Sequence, residues 1–130
     1  MSRYADPNEL GALARMFHRF VRDSIRYVRD PASEEFTDSD KILLRGYADC
    51  DDKARLFVAL CRSAGIAARI RPCFVGDDFV HVQAEVLLSS CEEGAACFLE
   101  GSGCEWCVSE LIVRGTEIGD GAPRAGRVLS

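Results

Sequence analysis

From Leu10 onward, apolar side chains return at helical spacing. Leu10, Leu13, Phe17, Phe20 and Val21 share a stripe that Ser24 and Val28 continue, with Arg15, Arg19, Arg22, Arg26 and Arg29 largely off it. Asp6-Pro7-Asn8-Glu9 supplies a cap, a proline at the first helical position and the glutamate of a capping box. The spacing predicts a long amphipathic helix that ends before Pro31. His18 lies beside the stripe and reads as a partly exposed structural histidine. Residues 30–45, polar and then briefly apolar, read as a loop leading into a short helical turn.

A second helix is predicted from about Asp51 to Ala64, capped by Asp49 and stopped by Gly65. Ala54, Phe57, Val58, Cys61 and Ala64 form its stripe, and Leu56 and Leu60 widen it, which suits a helix buried on more than one side. From Ile66 the period changes to two. Ile66 to Phe74 reads as a strand, "VGDD" as a turn, and Phe79 to Leu88 as a second strand with His81, Gln83, Glu85 and Leu87 on one face. Further strands are predicted in Ala95 to Glu100 and Glu105 to Val113. Helices first and antiparallel strands after define an α+β domain, with a core over about residues 41–113 and a loosely ordered Gly- and Pro-rich tail over 114–130.

At 130 residues the chain has room for one domain with a real core, so 1–130 reads as a single domain. The longest central apolar run, Leu56 to Cys61, is far too short to span a membrane. The N-terminal stretch has no apolar signal segment, which makes a cytoplasmic, reducing location the default expectation. Charge is uneven: the first 72 residues carry 13 Lys+Arg against 11 Asp+Glu, the remainder 3 against 10. An acidic second half argues against a nucleic-acid partner. Seven cysteines exclude complete pairing within one chain, and most of the thiols are expected to be free.

Cys50 sits among Asp49, Asp51 and Asp52 where the second helix begins. The helix end favours an anion there by roughly 0.3–1 kcal/mol, while each carboxylate at about 6 Å through water opposes it by roughly 0.7 kcal/mol. The dipole alone does not win, so a reactive thiolate at this position needs an imidazolium in contact. Of the two histidines, His81 on the strand after the helix is the natural partner.

"GYADCDDKARLFVALCRSAGIAARI" followed by "HVQAEVLL" resembles the transglutaminase-like superfamily of cysteine enzymes over about residues 41–88, and "DCDDKA" is similar to its small stand-alone bacterial and prophage members. The matching positions are Gly46 and Cys50 at the helix start, Phe57 to Leu60 within it, Ala64-Gly65-Ile66 with Arg69 at the strand entry, and His81 with Glu85-Val86. The resemblance implies that fold, an antiparallel sheet packed on a nucleophile-bearing helix, and acyl transfer on a protein or peptide amide. Cys50 would be the nucleophile, His81 the general base and acid, and an acid on the next strand would orient the imidazole. No cofactor is implied, and no calcium loop is present in the sequence. The oxyanion would rest on the Cys50 N–H, with Tyr47 as a candidate second donor, and Asp52 and Gln83 as neighbours of the site.

The third residue departs from the family pattern, because no Trp-x-x-x-Asp-Pro segment follows His81. If Ser89 to Gly94 is a hairpin loop, residue 88 pairs with 95 and Glu100 falls diagonal to His81. If Ser89 to Cys104 is all loop, 88 pairs with 105 and Glu110 takes that place, four residues after Trp106. The first register avoids a long structureless loop, and Glu100 is the favoured reading. Two other functions compete: a catalytically inactive member of the fold serving as a binding or assembly module, which an altered acid would suit, and a structural zinc site at Cys91, Cys97, Cys104 and Cys107.

Overall fold

The computed structural model describes residues 6–27, 47–48, 50–75, 78–120 and 127–128, of which 26–27, 47–48, 75, 78–80 and 127–128 are described by backbone alone. The predicted turn within 30–45, the Asp49 cap and Val28 lie outside these residues. Helix α1 spans Pro7–Ser24, β1 Arg26–Tyr27, β2 Tyr47–Ala48, α2 Cys50–Ser63, β3 Ala68–Val75, β4 Asp78–Leu88, β5 Glu105–Ser109 and β6 Arg127–Val128. Two helices packed on an antiparallel sheet make the α+β architecture that the hydrophobic pattern predicts.

Helix α1 starts as its sequence dictates: Asp6 accepts from the Asn8 N–H at 2.8 Å, and Pro7 occupies the first turn. Its buried face is Leu10, Gly11, Ala14, His18 and Val21. Phe20, expected on that face, is 40% exposed, and His18 is fully buried instead. Gly11 is required by packing, because a Cβ there would meet the Gly94 carbonyl oxygen at 2.2 Å. Helix α2 begins at Cys50 itself and closes through Gly65 at φ 83°, with Gly65 N–H on Arg62 O at 3.0 Å and Ile66 N–H on Cys61 O at 2.8 Å. This is a Schellman closure, and only glycine enters its left-handed position cheaply.

The four-stranded sheet runs β5-β4-β3-β6, every neighbour antiparallel, and β1 and β2 form a separate parallel pair. Val82, Ala84, Val86 and Leu88 on one face of β4 join Leu10, Ala14 and Val21 of α1 and Ala54, Phe57, Val58 and Cys61 of α2 in one core. The opposite face carries His81, Gln83 and Glu85. Cys73 of β3 pairs with His81 and Phe74 with Phe79, so Val80 is the extra residue of a bulge immediately before His81.

β4 pairs with β5 in the register Leu88↔Glu105 through Ala84↔Ser109, which corrects the favoured hairpin. The segment Ala95 to Glu100 is no strand: it makes a single bridge, Ala96 to Leu88. Leu87 donates to Ala67 O and accepts from the Cys97 N–H, so that bridge continues the line of β3 and leaves the other edge of β4 to β5. The intervening loop is long but far from structureless. Disulfides Cys91–Cys107 and Cys97–Cys104 tie it, and its backbone docks on α1 through Ala96 N–H to Pro7 O at 2.8 Å. Four of seven cysteines are thus paired, against the expectation of mostly free thiols, and the four sulfurs of the anticipated zinc site are joined to one another. Arg127–Val128, within the anticipated loose tail, pairs with Phe74 and Cys73 as an edge strand.

Candidate active site

Three elements bring the site together. Helix α2 presents Cys50 at its first turn, β4 presents His81 just past the bulge, and Glu110 follows directly on the last residue of β5. The His81 ring donates from Nε2 to Glu110 Oε1 at 2.8 Å. Because a carboxylate only accepts, Nε2 carries a proton, and Nδ1 is the nitrogen left for the Cys50 thiol, to which His81 is also hydrogen bonded. The ring's hydrogen bonds to Cys50 first, and then to Glu110, outweigh burial and raise the imidazole from 6.5 to about 9. His81 is therefore an imidazolium at neutral pH. Cys50 is a half-buried free thiol.

Glu110 is 1% exposed. Its Oε1 also accepts from Gln83 Nε2 at 3.1 Å and its Oε2 from the Ile112 N–H at 3.1 Å. Burial pushes this carboxyl up, but the bonds from His81, Gln83 and Ile112 prevail and hold it below the ordinary glutamate value. The extra methylene relative to aspartate is accommodated because all these donors converge on one rotamer. Gln83 Oε1 in turn accepts from Cys73 Sγ at 3.4 Å.

Glu100 is placed elsewhere. It accepts from Trp106 Nε1 at 2.8 Å, lies 3.7 Å from Arg69, and is 68% exposed. Trp106 pairs with Leu87, six residues along β4 from His81, which is a separation of about 20 Å at strand rise. Glu110, the alternative acid, is the one in contact with the imidazole. Asp52 is buried beside the site, and Tyr47 begins β2 with its side chain outside the described residues.

Two features escaped the sequence reading. Lys53, one helical turn after Cys50, is 1% exposed and donates to Arg22 O at 3.1 Å. Burial lowers it to about 8, against the attraction of Asp23 and Glu110. A lysine in the first turn of an acidic helix start reads as solvated, so only its position on the Cys50 face hinted at burial. His18 is the second: Nε2 donates to Thr116 O at 2.8 Å, so Nδ1 accepts from the Ser109 hydroxyl at 2.7 Å. Burial lowers its pKa, and this neutral ring fastens α1 to the residue before Glu110. Arg69 and Arg71, each 2.7 Å from Glu85, extend the polar face beyond Gln83.

The transglutaminase-like superfamily model matches residues 2–110, and the chain belongs to that superfamily. Among solved structures it is similar to a proposed cysteine protease from Cytophaga hutchinsonii, at 18% identity and a TM-score of 0.53, over 98% of this chain and 48% of the other. It also matches a proposed protease from Parabacteroides distasonis at 16% identity and a TM-score of 0.48, over 91% of this chain and 28% of the other. The chain thus spans about half, or less, of each neighbour's length. No curated protein sequence matches it. Among the described residues, no helix is long and apolar enough to cross a membrane.

Proposed function

We propose that this chain is a single transglutaminase-like domain that carries out thiol-dependent acyl transfer on a protein or peptide amide, by Cys50, His81 and Glu110. One observation carries the reading: a single imidazole is hydrogen bonded on one side to the thiol at a helix N-terminus and on the other to a buried carboxylate. The cysteine-protease description of the Cytophaga neighbour agrees with it.

In this reaction Cys50 Sγ bonds to the amide carbonyl carbon, and the carbonyl electron pair moves to oxygen. The Cys50 N–H at the start of α2 faces that developing charge, with the helix dipole behind it. His81 passes its Nδ1 proton to the leaving nitrogen as the C–N bond breaks, giving a thioester and a free amine. Water or a second amine then attacks the thioester while His81 takes its proton, and Cys50 is released. Glu110 keeps Nε2–H oriented and stabilises the imidazolium throughout. Hydrolysis, deamidation and transamidation share these steps and differ in the acceptor.

The two disulfides support an oxidising surrounding, in place of the reducing cytoplasm expected from the N-terminal sequence.

A direct test uses p-nitrophenyl acetate with the native protein. The expected result is an acetyl group on Cys50, located by mass spectrometry, which turns over in the wild type and transfers to added methylamine if the acceptor side admits amines. Cys61, pushed up to about 12 by burial, and the buried Cys73 stay unmodified. Acetylation spread over all free thiols, unchanged in His81→Ala, would contradict the proposal.

A further inference from the structure

Behind the imidazole, Glu110 is itself held by a buried side chain that is 2% exposed and so is covered from substrate: Gln83. Its amide is read at both ends. Nε2 lies 3.1 Å from Glu110 Oε1, which only accepts, and Oε1 lies 3.4 Å from Cys73 Sγ, which donates. Glu110 alone dictates that orientation of the amide, and Cys73, whose Sγ also lies 3.7 Å from Arg71 O, suits it at the far end. Cys73 sits opposite His81 across the β3–β4 ladder, and Gln83 is two residues on from His81 on the same face. The sequence Cys73 to Gln83 to Glu110 to His81 is thus one continuous hydrogen-bonded chain across two adjacent strands, β3 and β4, and the residue that follows β5.

We infer that Gln83 is the positioning residue of this site, fixing the Glu110 carboxylate for His81, and that Cys73 braces the far end of the Gln83 amide. The inference rests on the catalytic reading of Cys50 and His81. The physical need is specific to a glutamate: its side chain has one more torsion than aspartate, and a free carboxyl would sample rotamers that leave Nε2 without a partner. Ile112 N–H takes Oε2, and without Gln83 that single backbone bond would have to hold the group. Besides His81, Lys53 from α2 and Cys73 from β3 interact electrostatically with Glu110. Neither supplies a hydrogen bond to the carboxylate among the described residues.

The test compares Gln83→Met, Gln83→Glu, Cys73→Ser and Cys73→Val with the wild type, all confirmed folded by circular dichroism. The readouts are the His81 ring titration by NMR and the pH profile of acyl transfer. Gln83→Met is expected to lower kcat about 10–100-fold with little change in KM, the scale of a misplaced catalytic group, and to bring the His81 midpoint down from about 9. Gln83→Glu, which sets an acceptor against an acceptor, should do more. Cys73→Ser keeps a donor to Gln83 Oε1 and should retain more activity than Cys73→Val, which removes that support from the amide. Gln83→Met with rate, pH profile and His81 midpoint all at wild-type values would overturn the inference. If Gln83 variants fail to fold, equal behaviour of Cys73→Ser and Cys73→Val overturns it. Should the wild type show no activity, the His81 midpoint still decides the role of Gln83, so the catalytic reading and the inference can fail separately.

Discussion

At the scale of single residues, two glutamates ten positions apart have opposite fates. Glu110 is sealed in and hydrogen bonded by His81, Gln83 and Ile112, whereas Glu100 shares the solvent with Arg69 and the Trp106 indole. Glu110→Gln is expected to cost about 10²–10⁴-fold in acyl transfer, the usual worth of oriented acid–base catalysis, and Glu100→Gln less than twofold. Steady-state kinetics of the two variants, side by side, checks this. Lys53 carries a second residue-level expectation. Its folded pKa of about 8 lies below the ordinary 10.5, so between those values the unfolded chain binds more protons and stability rises with pH. Urea midpoints at pH 8 and pH 10 read it as a difference: the wild type should gain on Lys53→Met between the two pH values, since the losses from His81 and Cys61 over that interval are common to both proteins.

At the scale of elements, much was legible because local signals were strong. The α2 stripe, the Gly65 stop and the alternation around His81 each depend on neighbours within a few residues, and each element formed where the pattern placed it. Choosing between Glu100 and Glu110 was harder, since both registers satisfy the same alternation of β4. What decides is non-local: Gly11 lets Gly94 approach α1, Ala96 bonds back to Pro7, and two disulfides gather the loop so that β5 starts only at Glu105. None of these has a periodic signature. The burial of His18 lacks a local signal for a related reason, as its partners Ser109 and Thr116 lie more than 90 residues away. The Cys91–Cys107 bridge, with a sequence separation of 16, should stabilise the fold by about 3 kcal/mol through the unfolded chain. Replacing both with serine should lower the urea-unfolding free energy by that amount. Since Cys107 lies three residues before Glu110, the same variant should lose acyl transfer before it loses secondary structure.

The whole molecule couples its fold to the protonation of its site. A folded His81 pKa of about 9 against 6.5 means that the native state binds the extra proton between those values. The resulting stability is complete below pH 6.5 and is lost as pH rises through about 9. Glu110 runs the other way: with its folded pKa depressed below 4.5, its contribution is present above that value and lost as pH falls through the folded pKa. Fold and chemistry therefore share a working range in which His81 is cationic and Glu110 anionic. The chain has only two histidines, and the structure drives them apart, His18 downward by burial and His81 upward by Cys50 and Glu110. The most direct test of the Cys50–His81–Glu110 assembly is an NMR pH titration of both rings in the wild type, Cys50→Ala and Glu110→Gln. The account requires a His81 midpoint near 9 that falls in either variant, while His18 stays below 6.5 in all three. A His81 midpoint near 6.5 in the wild type, unmoved by either substitution, would contradict it.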